Sequence, residues 1–335
     1  MDPTDRVPFG RTSLTTTRLG LGSAPLGGLF NPVPDATAHG VVQHAHDSGL
    51  RFYDTAPLYG YGSAEQRMGH VLARQSRDEL VLATKVGRLI RPREAAGSGL
   101  DADGAGQFLD APPLVPVFDF SYDAVMRSFE ESLERLGMDR IDVLHIHDPD
   151  DYYDQALSGA YKALDKLRSE GTIRALGSGM NQAEMLARFA READFDCFLV
   201  AGRYTLLDQA ALPELLPICE QKGIAIIIGG VYNSGILANL DNPERATFNY
   251  RPAEQRWLDM AREIKAVCDR HGVPIQAAAL QFPLAHPAVA VVLTGARSVE
   301  ELDQNLAFMR HPIPSDLWAE LKSTGLLPAE APTPS

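Results

Sequence analysis

The stretch Ile224-Ala225-Ile226-Ile227-Ile228-Gly229 is apolar at consecutive rather than alternate positions and ends on glycine. A strand with the same apolar character on both faces belongs in a parallel sheet that is covered on each side. Runs at 19–23, 51–55, 80–86, 142–147, 175–179, 198–202 and 290–294 are similarly short, and each ends in Gly, Pro or a polar residue. With 225–229 they make eight predicted strands. Helix-period segments lie between them. Val125, Phe129, Leu133 and Leu136 step by 4, 4 and 3 along one face of a helix that Ser121 can cap. The same pattern predicts helices near 37–48, 64–74, 154–169, 183–192, 211–222, 256–271 and 299–308. Strand and helix alternating eight times predict an α/β fold, a single closed (β/α)8 TIM barrel, rather than two doubly wound domains.

The expected organisation is an N-terminal extension over 1–13, the barrel over 14–326 and a loose tail over 327–335, where three prolines stand in nine residues. The connections 88–120 and 230–252 are long, and long βα loops of this architecture sit over the C-terminal mouth as lids.

Acidic residues outnumber basic ones 44 to 31, for a net charge of −13. No positive excess favours nucleic acid or an anionic membrane surface. Cys197, Cys219 and Cys268 are odd in number and unrelated in spacing, which fits a reduced chain better than a disulfide framework or metal-ligand pair. Met1-Asp2-Pro3-Thr4-Asp5-Arg6 carries acid where a signal peptide needs base. No run approaches the roughly 20 apolar residues of a membrane helix. A cytoplasmic protein is expected.

In a barrel, polar groups at the C-terminal strand ends carry the chemistry. Asp54 ends the second predicted strand, Tyr59 follows it, Lys85 stands near the end of the third and His147 ends the fourth. Together they place a carboxylate, a phenol, an ammonium and an imidazole around one opening, a set suited to proton transfer at a carbonyl oxygen. On this reading Lys85 favours the Tyr59 phenolate, Asp54 holds Lys85 charged, and His147 orients the substrate oxygen. His145 and His147 form an H-x-H pair, but no histidine stands at the fifth or sixth strand end to complete a metal site, so no metal is expected and His145 is read as packed. Gly20 and Gly22 have Rossmann spacing, but Pro25 stands near the third glycine's place, so that fingerprint is not supported. Glycine-rich turns follow strands five and seven, and Gly295-Ala296-Arg297-Ser298 leads into a helix whose N-terminus can receive phosphate.

These residues resemble the aldo-keto reductase superfamily. The resemblance is carried by residues 49–56 (GLRFYDTA), Tyr59-Gly60, Ser63 and Glu65, Thr84-Lys85, Leu133, Leu136, Gly137 and Asp142, His147-Asp148-Pro149, and residues 295–305. It implies metal-free hydride transfer between a nicotinamide dinucleotide and a carbonyl, with Asp54, Tyr59, Lys85 and His147 as catalytic tetrad. It further implies cofactor contacts from Gly22, Ser23, Ala24 and Asp54, from Ser178, Gly179, Met180 and Asn181, from Gly230, Val231, Tyr232, Asn233, Ser234 and Gly235, and from Gly295, Arg297, Glu301 and Asn305. Within the superfamily, residues 118–122, 147–150, 201–207 and 232–237 are similar to the branch of L-fucose and D-threo-aldose 1-dehydrogenases, with pyridoxal 4-dehydrogenase as a near relative. That branch implies oxidation of an aldose at C1 to the lactone.

Three departures bear on cofactor binding. Gly179-Met180 stands where many relatives have Ser-Asn, Ala201 where a Gln is usual, and Gly229 where an aromatic stacks on nicotinamide. In the register where NADP-preferring members carry basic residues, this chain has Gly295, Ala296 and Glu301. A carboxylate repels a 2′-phosphate and accepts a free 2′-hydroxyl, so NAD is the expected cofactor, with NADP possible through Arg297. The mouth-loop aromatics Phe30, Tyr61, Phe118, Phe120 and Tyr152 either wall the substrate or pack the lids. The expected partner is a small sugar or aldehyde, and the chain acts as monomer or homodimer. Pyridoxal oxidation, general aldehyde reduction and a nicotinamide-sensing subunit with slow turnover are the alternatives.

Overall fold

The computed structural model describes residues 1–238, 240, 246–249 and 251–334. In chain order the strands are β1 (Arg6–Pro8), β2 (Thr15–Thr17), β3 (Leu19–Gly22), β4 (Phe52–Asp54), β5 (Val81–Val86), β6 (Arg88–Pro92), β7 (Leu114–Phe118), β8 (Val143–His147), β9 (Ala175–Met180), β10 (Cys197–Ala201), β11 (Ala225–Gly229), β12 (Thr247–Phe248), β13 (Arg251–Pro252) and β14 (Val289–Gly295). Eight of them, in the order β3-β4-β5-β8-β9-β10-β11-β14, close a parallel barrel. These are the eight runs read from sequence, with ends shifted by a residue or so, as strand ends commonly are.

Two kinds of core follow from the alternation along each strand. Phe52, Val81, Val143, Ala175, Leu199, Ile227 and Val291 fill the barrel's inside, and Phe9 and Leu14 plug its lower end. The other face of each strand packs against helices: α1 (Asp35–Asp47), α2 (Ser63–Leu72), α3 (Tyr122–Leu136), α4 (Tyr153–Gln155), α5 (Lys162–Ser169), α6 (Ala183–Glu192), α7 (Leu215–Lys222), α8 (Gln255–Arg270), α9 (Ile275–Gln281), α10 (Val299–Arg310) and α11 (Ser315–Ser323). Ser121 caps α3, accepting from the Ala124 amide, and Gly137 ends it with φ of 60°.

The structure departs from the sequence reading in several places. β1 and β2 form an antiparallel hairpin beneath the barrel, so the expected boundary between residues 13 and 14 falls inside it. Leu327 and Ala331 are buried, so the tail's prolines turn the chain along the surface rather than loosen it. α9 and α11 had no counterpart among the predicted helices. The segment read as one helix over 154–169 carries a π turn at Ala156–Tyr161. There Gly159 sits so close to the backbone that a Cβ would come 2.4 Å from the Phe120 carbonyl oxygen. The two long connections are not open loops. The first folds back as the β6/β7 hairpin, and the second carries the small β12/β13 pair; its residues 239, 241–245 and 250 lie outside the described residues.

Candidate active site

Barrel stagger brings the polar strand ends together. Asp54 of β4 pairs in register with Ala83 of β5, and Lys85, two residues further up, pairs with His145 of β8. His147 stands two residues higher again, opposite Gly179 of β9. Tyr59 opens the turn Tyr59–Gly62 after β4, whose residues Gly60, Tyr61 and Gly62 have φ of 60°, 50° and 96°. This left-handed run folds the chain back over the mouth.

Lys85 is 1% exposed, and its Nζ donates to Asp54 Oδ1 at 2.6 Å and to the Thr55 carbonyl at 2.8 Å. The same ammonium lies 4.7 Å from the centroid of the Tyr59 ring, and the His147 ring stands edge-on to Tyr59 with centroids 5.9 Å apart. Burial pushes the Asp54 carboxyl above its ordinary range while the Lys85 charge pulls it back. Burial, then Arg88, Lys85 and His145, hold His147 far below the usual imidazole value, so it is neutral at physiological pH. His145 is lowered to about 3 by burial and by Lys85.

One sequence-derived expectation is corrected here. Lys85 does not leave Tyr59 easily ionised, because burial, followed by Asp54 and Asp148, raises the phenol well above its ordinary value. The ammonium's charge is spent on Asp54, so the resting hydroxyl keeps its proton.

Tyr59, Lys85 and His147 line a cavity of 580 Å³, whose wall also takes in Ala24, Gly179, Met180 and Asn181. Asp54 lies beneath it and is 2% exposed. A second cleft of 450 Å³ meets this cavity at Leu29 and runs outward between the turn after β11 and the start of α10. Gly230, Val231, Tyr232, Ser234, Gly235, Gly295, Arg297, Glu301 and Asn305 line it. The expected cofactor residues thus fall along one continuous trough, with exceptions. Ser178 Oγ bonds the Ile146 carbonyl at 3.1 Å and is fully buried, so it ties β9 to β8 instead of facing the trough. Asn233 likewise donates to the Gly202 carbonyl at 3.2 Å. Gly22 and Ser23 are not among the residues that line either cavity, although they border the trough at the end of β3.

The trough fits a nicotinamide dinucleotide on physical grounds. Ser23 Oγ, Asp54 Oδ2, Asn233 Oδ1 and Thr294 Oγ1 are buried near it without a hydrogen-bond partner among the described residues. A Cβ on Gly22 would meet nothing nearer than the Thr294 carbonyl oxygen at 3.8 Å, which leaves the backbone open to a ligand. At the outer end, Ser298 caps α10, and Glu301 accepts from the Arg297 amide at 2.8 Å and from its guanidinium at 2.9 Å.

The five expected substrate aromatics do not wall the reaction cavity. Phe30 lines the outer cleft and is 51% exposed. Tyr61 is buried, donating to the Gly104 carbonyl at 2.9 Å and accepting from the Gly106 amide, so it anchors the first lid. Phe118, Phe120 and Tyr152 pack on one another with centroids 5.2 to 5.9 Å apart, and Phe118 and Tyr152 line a smaller adjoining pocket beside Arg88. The aromatic that joins Tyr59 in the cavity is Phe108, with Arg88, Asp101, Gln107, Asp148, Gln182 and Asn249 as its polar neighbours. Sequence reading missed these residues. Arg88 and Asp148 were within reach, since each stands within three residues of a singled-out strand-end group; the lid residues had no periodicity to reveal them.

The sequence profile of the Aldo/keto reductase family matches residues 18–325. The chain is 41% identical to pyridoxal 4-dehydrogenase of Microbacterium luteolum, over 96% of this chain and 98% of that protein. It is 42% identical to D-threo-aldose 1-dehydrogenase of a Pseudomonas species, over 94% and 96% of the two chains. The solved holo form of an aldo-keto reductase from Bacillus halodurans matches with a TM-score of 0.75 at 22% identity, covering 98% of each chain, a likeness of fold.

Proposed function

The chain belongs to the aldo/keto reductase family and is an oxidoreductase, and from that premise we propose that it oxidises an aldose of the L-fucose or D-threo type at C1 to the lactone, with NAD preferred. The observation that carries the aldose reading is the cavity wall, where Arg88, Asp101, Gln107, Asn181, Gln182 and Asn249 present donors and acceptors suited to several hydroxyls of one small molecule.

A nicotinamide held in the trough would supply the acceptor for the hydride that leaves C1. In the oxidative direction the ionised fraction of Tyr59 takes the proton of the anomeric oxygen, so loss of C1–H with its electron pair and transfer of the O–H proton to the phenolate leave the lactone carbonyl. Neutral His147 donates to or orients that same oxygen. The Lys85 ammonium, held by Asp54, lies 4.7 Å from the centroid of the Tyr59 ring and helps to position it. The glycine-rich turn over 229–235 and the first turn of α10 would hold the dinucleotide. There Arg297 is tied to Glu301, which leaves its charge poorly placed to clamp a 2′-phosphate and favours a free ribose hydroxyl.

Initial rates of NADH and NADPH formation with L-fucose, D-arabinose, L-galactose, L-xylose and pyridoxal test the reading. Faster oxidation of the aldoses with NAD is the expected result. Turnover confined to pyridoxal, the substrate named for one relative, would move the substrate while keeping the site.

A further inference from the structure

Beside Tyr59 and His147 the cavity wall carries a charge arrangement that the reaction itself does not require. Arg88, the first residue of β6, is 8% exposed. Its Nε donates to Asp101 Oδ2 at 2.7 Å and its Nη1 to Asp148 Oδ2 at 2.9 Å, while the guanidinium lies 4.6 Å from the centroid of the Phe118 ring. Its Nη2 makes no hydrogen bond among the described residues. Arg88 lines both the reaction cavity and an adjoining pocket of 320 Å³, where Asp103, Asp150 and Asp151 join Asp101 and Asp148. Five carboxylates thus share this vestibule with one guanidinium. Their crowding is felt at Asp150, which burial and then Asp148 hold above the ordinary carboxylate range.

A buried arginine in a substrate cavity ordinarily reads as a receptor for a carboxylate or phosphate. Here two carboxylates have already taken that part, so a third anion meets net negative charge. Lys85 is likewise spent on Asp54. Arg251, on the wall of the reaction cavity, is exposed, and its charge is solvated. What Arg88 keeps is hydrogen-bonding capacity at Nη2, which suits an uncharged oxygen such as a sugar hydroxyl.

We propose that the Arg88–Asp101–Asp148 cluster makes the vestibule a charge filter, which admits uncharged hydroxylated substrates and turns away those carrying phosphate or carboxylate. The sugar case rests on the aldose reading above, whereas the charge argument holds for any carbonyl or hemiacetal that reaches Tyr59.

The test is kcat/KM of the full chain for matched pairs: an aldohexose and its 6-phosphate and, in the reducing direction, glyceraldehyde and its 3-phosphate. In every pair that is turned over, the charged member should be slower by about a hundredfold or more, as like charges at close range require. Added salt should narrow the gap, which separates repulsion from the mere bulk of a phosphate. The double variant Asp150→Asn/Asp151→Asn keeps side-chain size and should raise the charged-to-neutral ratio several-fold. Comparable turnover of a charged member, a gap untouched by both salt and the double variant, or rejection of every neutral member overturns the proposal. If pyridoxal is oxidised and no aldose is, the aldose reading fails, and the glyceraldehyde pair in the reducing direction decides the filter.

Discussion

In the proposed reaction Tyr59 does opposite things in the two directions, giving a proton during reduction and taking one during oxidation. Its burial raises the phenol, so at neutral pH the protonated form dominates and only a small fraction can act as base. Oxidation should therefore quicken as pH rises from 7 to 9, and Tyr59→Phe should lose both that rise and about 10²- to 10⁴-fold in kcat. Cofactor affinity, followed by quenching of protein fluorescence, should stay within a few-fold. A pH-independent wild-type rate would contradict the assignment. At the far end of the trough, Glu301→Arg replaces the Arg297 partner with a second cation. The ratio of kcat/KM for NADP over NAD should climb by at least about tenfold, since an exposed guanidinium pairs with a 2′-phosphate. An unchanged ratio would mean that Glu301 does not face the ribose. Stability should scarcely move, because exposed ion pairs contribute about 0–1 kcal/mol.

At the scale of elements, the turn after β4 decides whether Tyr59 arrives over Lys85. Gly60 has φ of 60°, and a Cβ there would come 2.1 Å from Ser63 Oγ and 2.5 Å from the Gly27 carbonyl oxygen. Gly60→Ala is accordingly expected to lower kcat by at least about tenfold, with the loss of stability held to roughly 1–3 kcal/mol. Measuring both separates a displaced Tyr59 from a general collapse. The same turn shows what the sequence could and could not tell. Strand ends were legible because apolar runs stop where the barrel meets the mouth, and that placed Asp54, Lys85 and His147. The lids were legible as long connections but not in their shape, which depends on pairings between distant segments: β6 with β7, Leu29 with Phe108, Tyr61 with Gly104 and Gly106. No local periodicity encodes such pairings. That is why the sequence leaves open whether the aromatics of the mouth wall the substrate or pack the lids; Phe118, Phe120 and Tyr152 pack on one another and Tyr61 holds the lid.

The whole molecule encloses the site in a barrel whose interior is apolar below Lys85, and this has a cost that pH reveals. His145 is fully buried, neither ring nitrogen is bonded among the described residues, and burial holds it at about 3, far below an exposed imidazole. Above pH 6.5 neither the folded nor the unfolded chain protonates it, so its contribution is constant. Below that pH the unfolded chain takes a proton that the folded one refuses, and stability falls until about pH 3. From pH 6.5 to 5 this one residue should cost about 2 kcal/mol. His145→Asn should flatten that part of the urea-unfolding profile, and an equally steep slope in the variant would place the effect elsewhere. Among the described residues no helix is long and apolar enough to cross a membrane, and the three cysteines are buried and unpaired.

The central claim is that C1 of an aldose gives its hydride in this cavity. L-Fucose deuterated at C1 tests it directly when mixed with the enzyme and NAD, with both products followed by NMR. The account predicts reduced cofactor carrying the deuterium and one lactone formed per cofactor reduced. Absence of the label from the cofactor, while pyridoxal in the same assay reduces NAD, would contradict it.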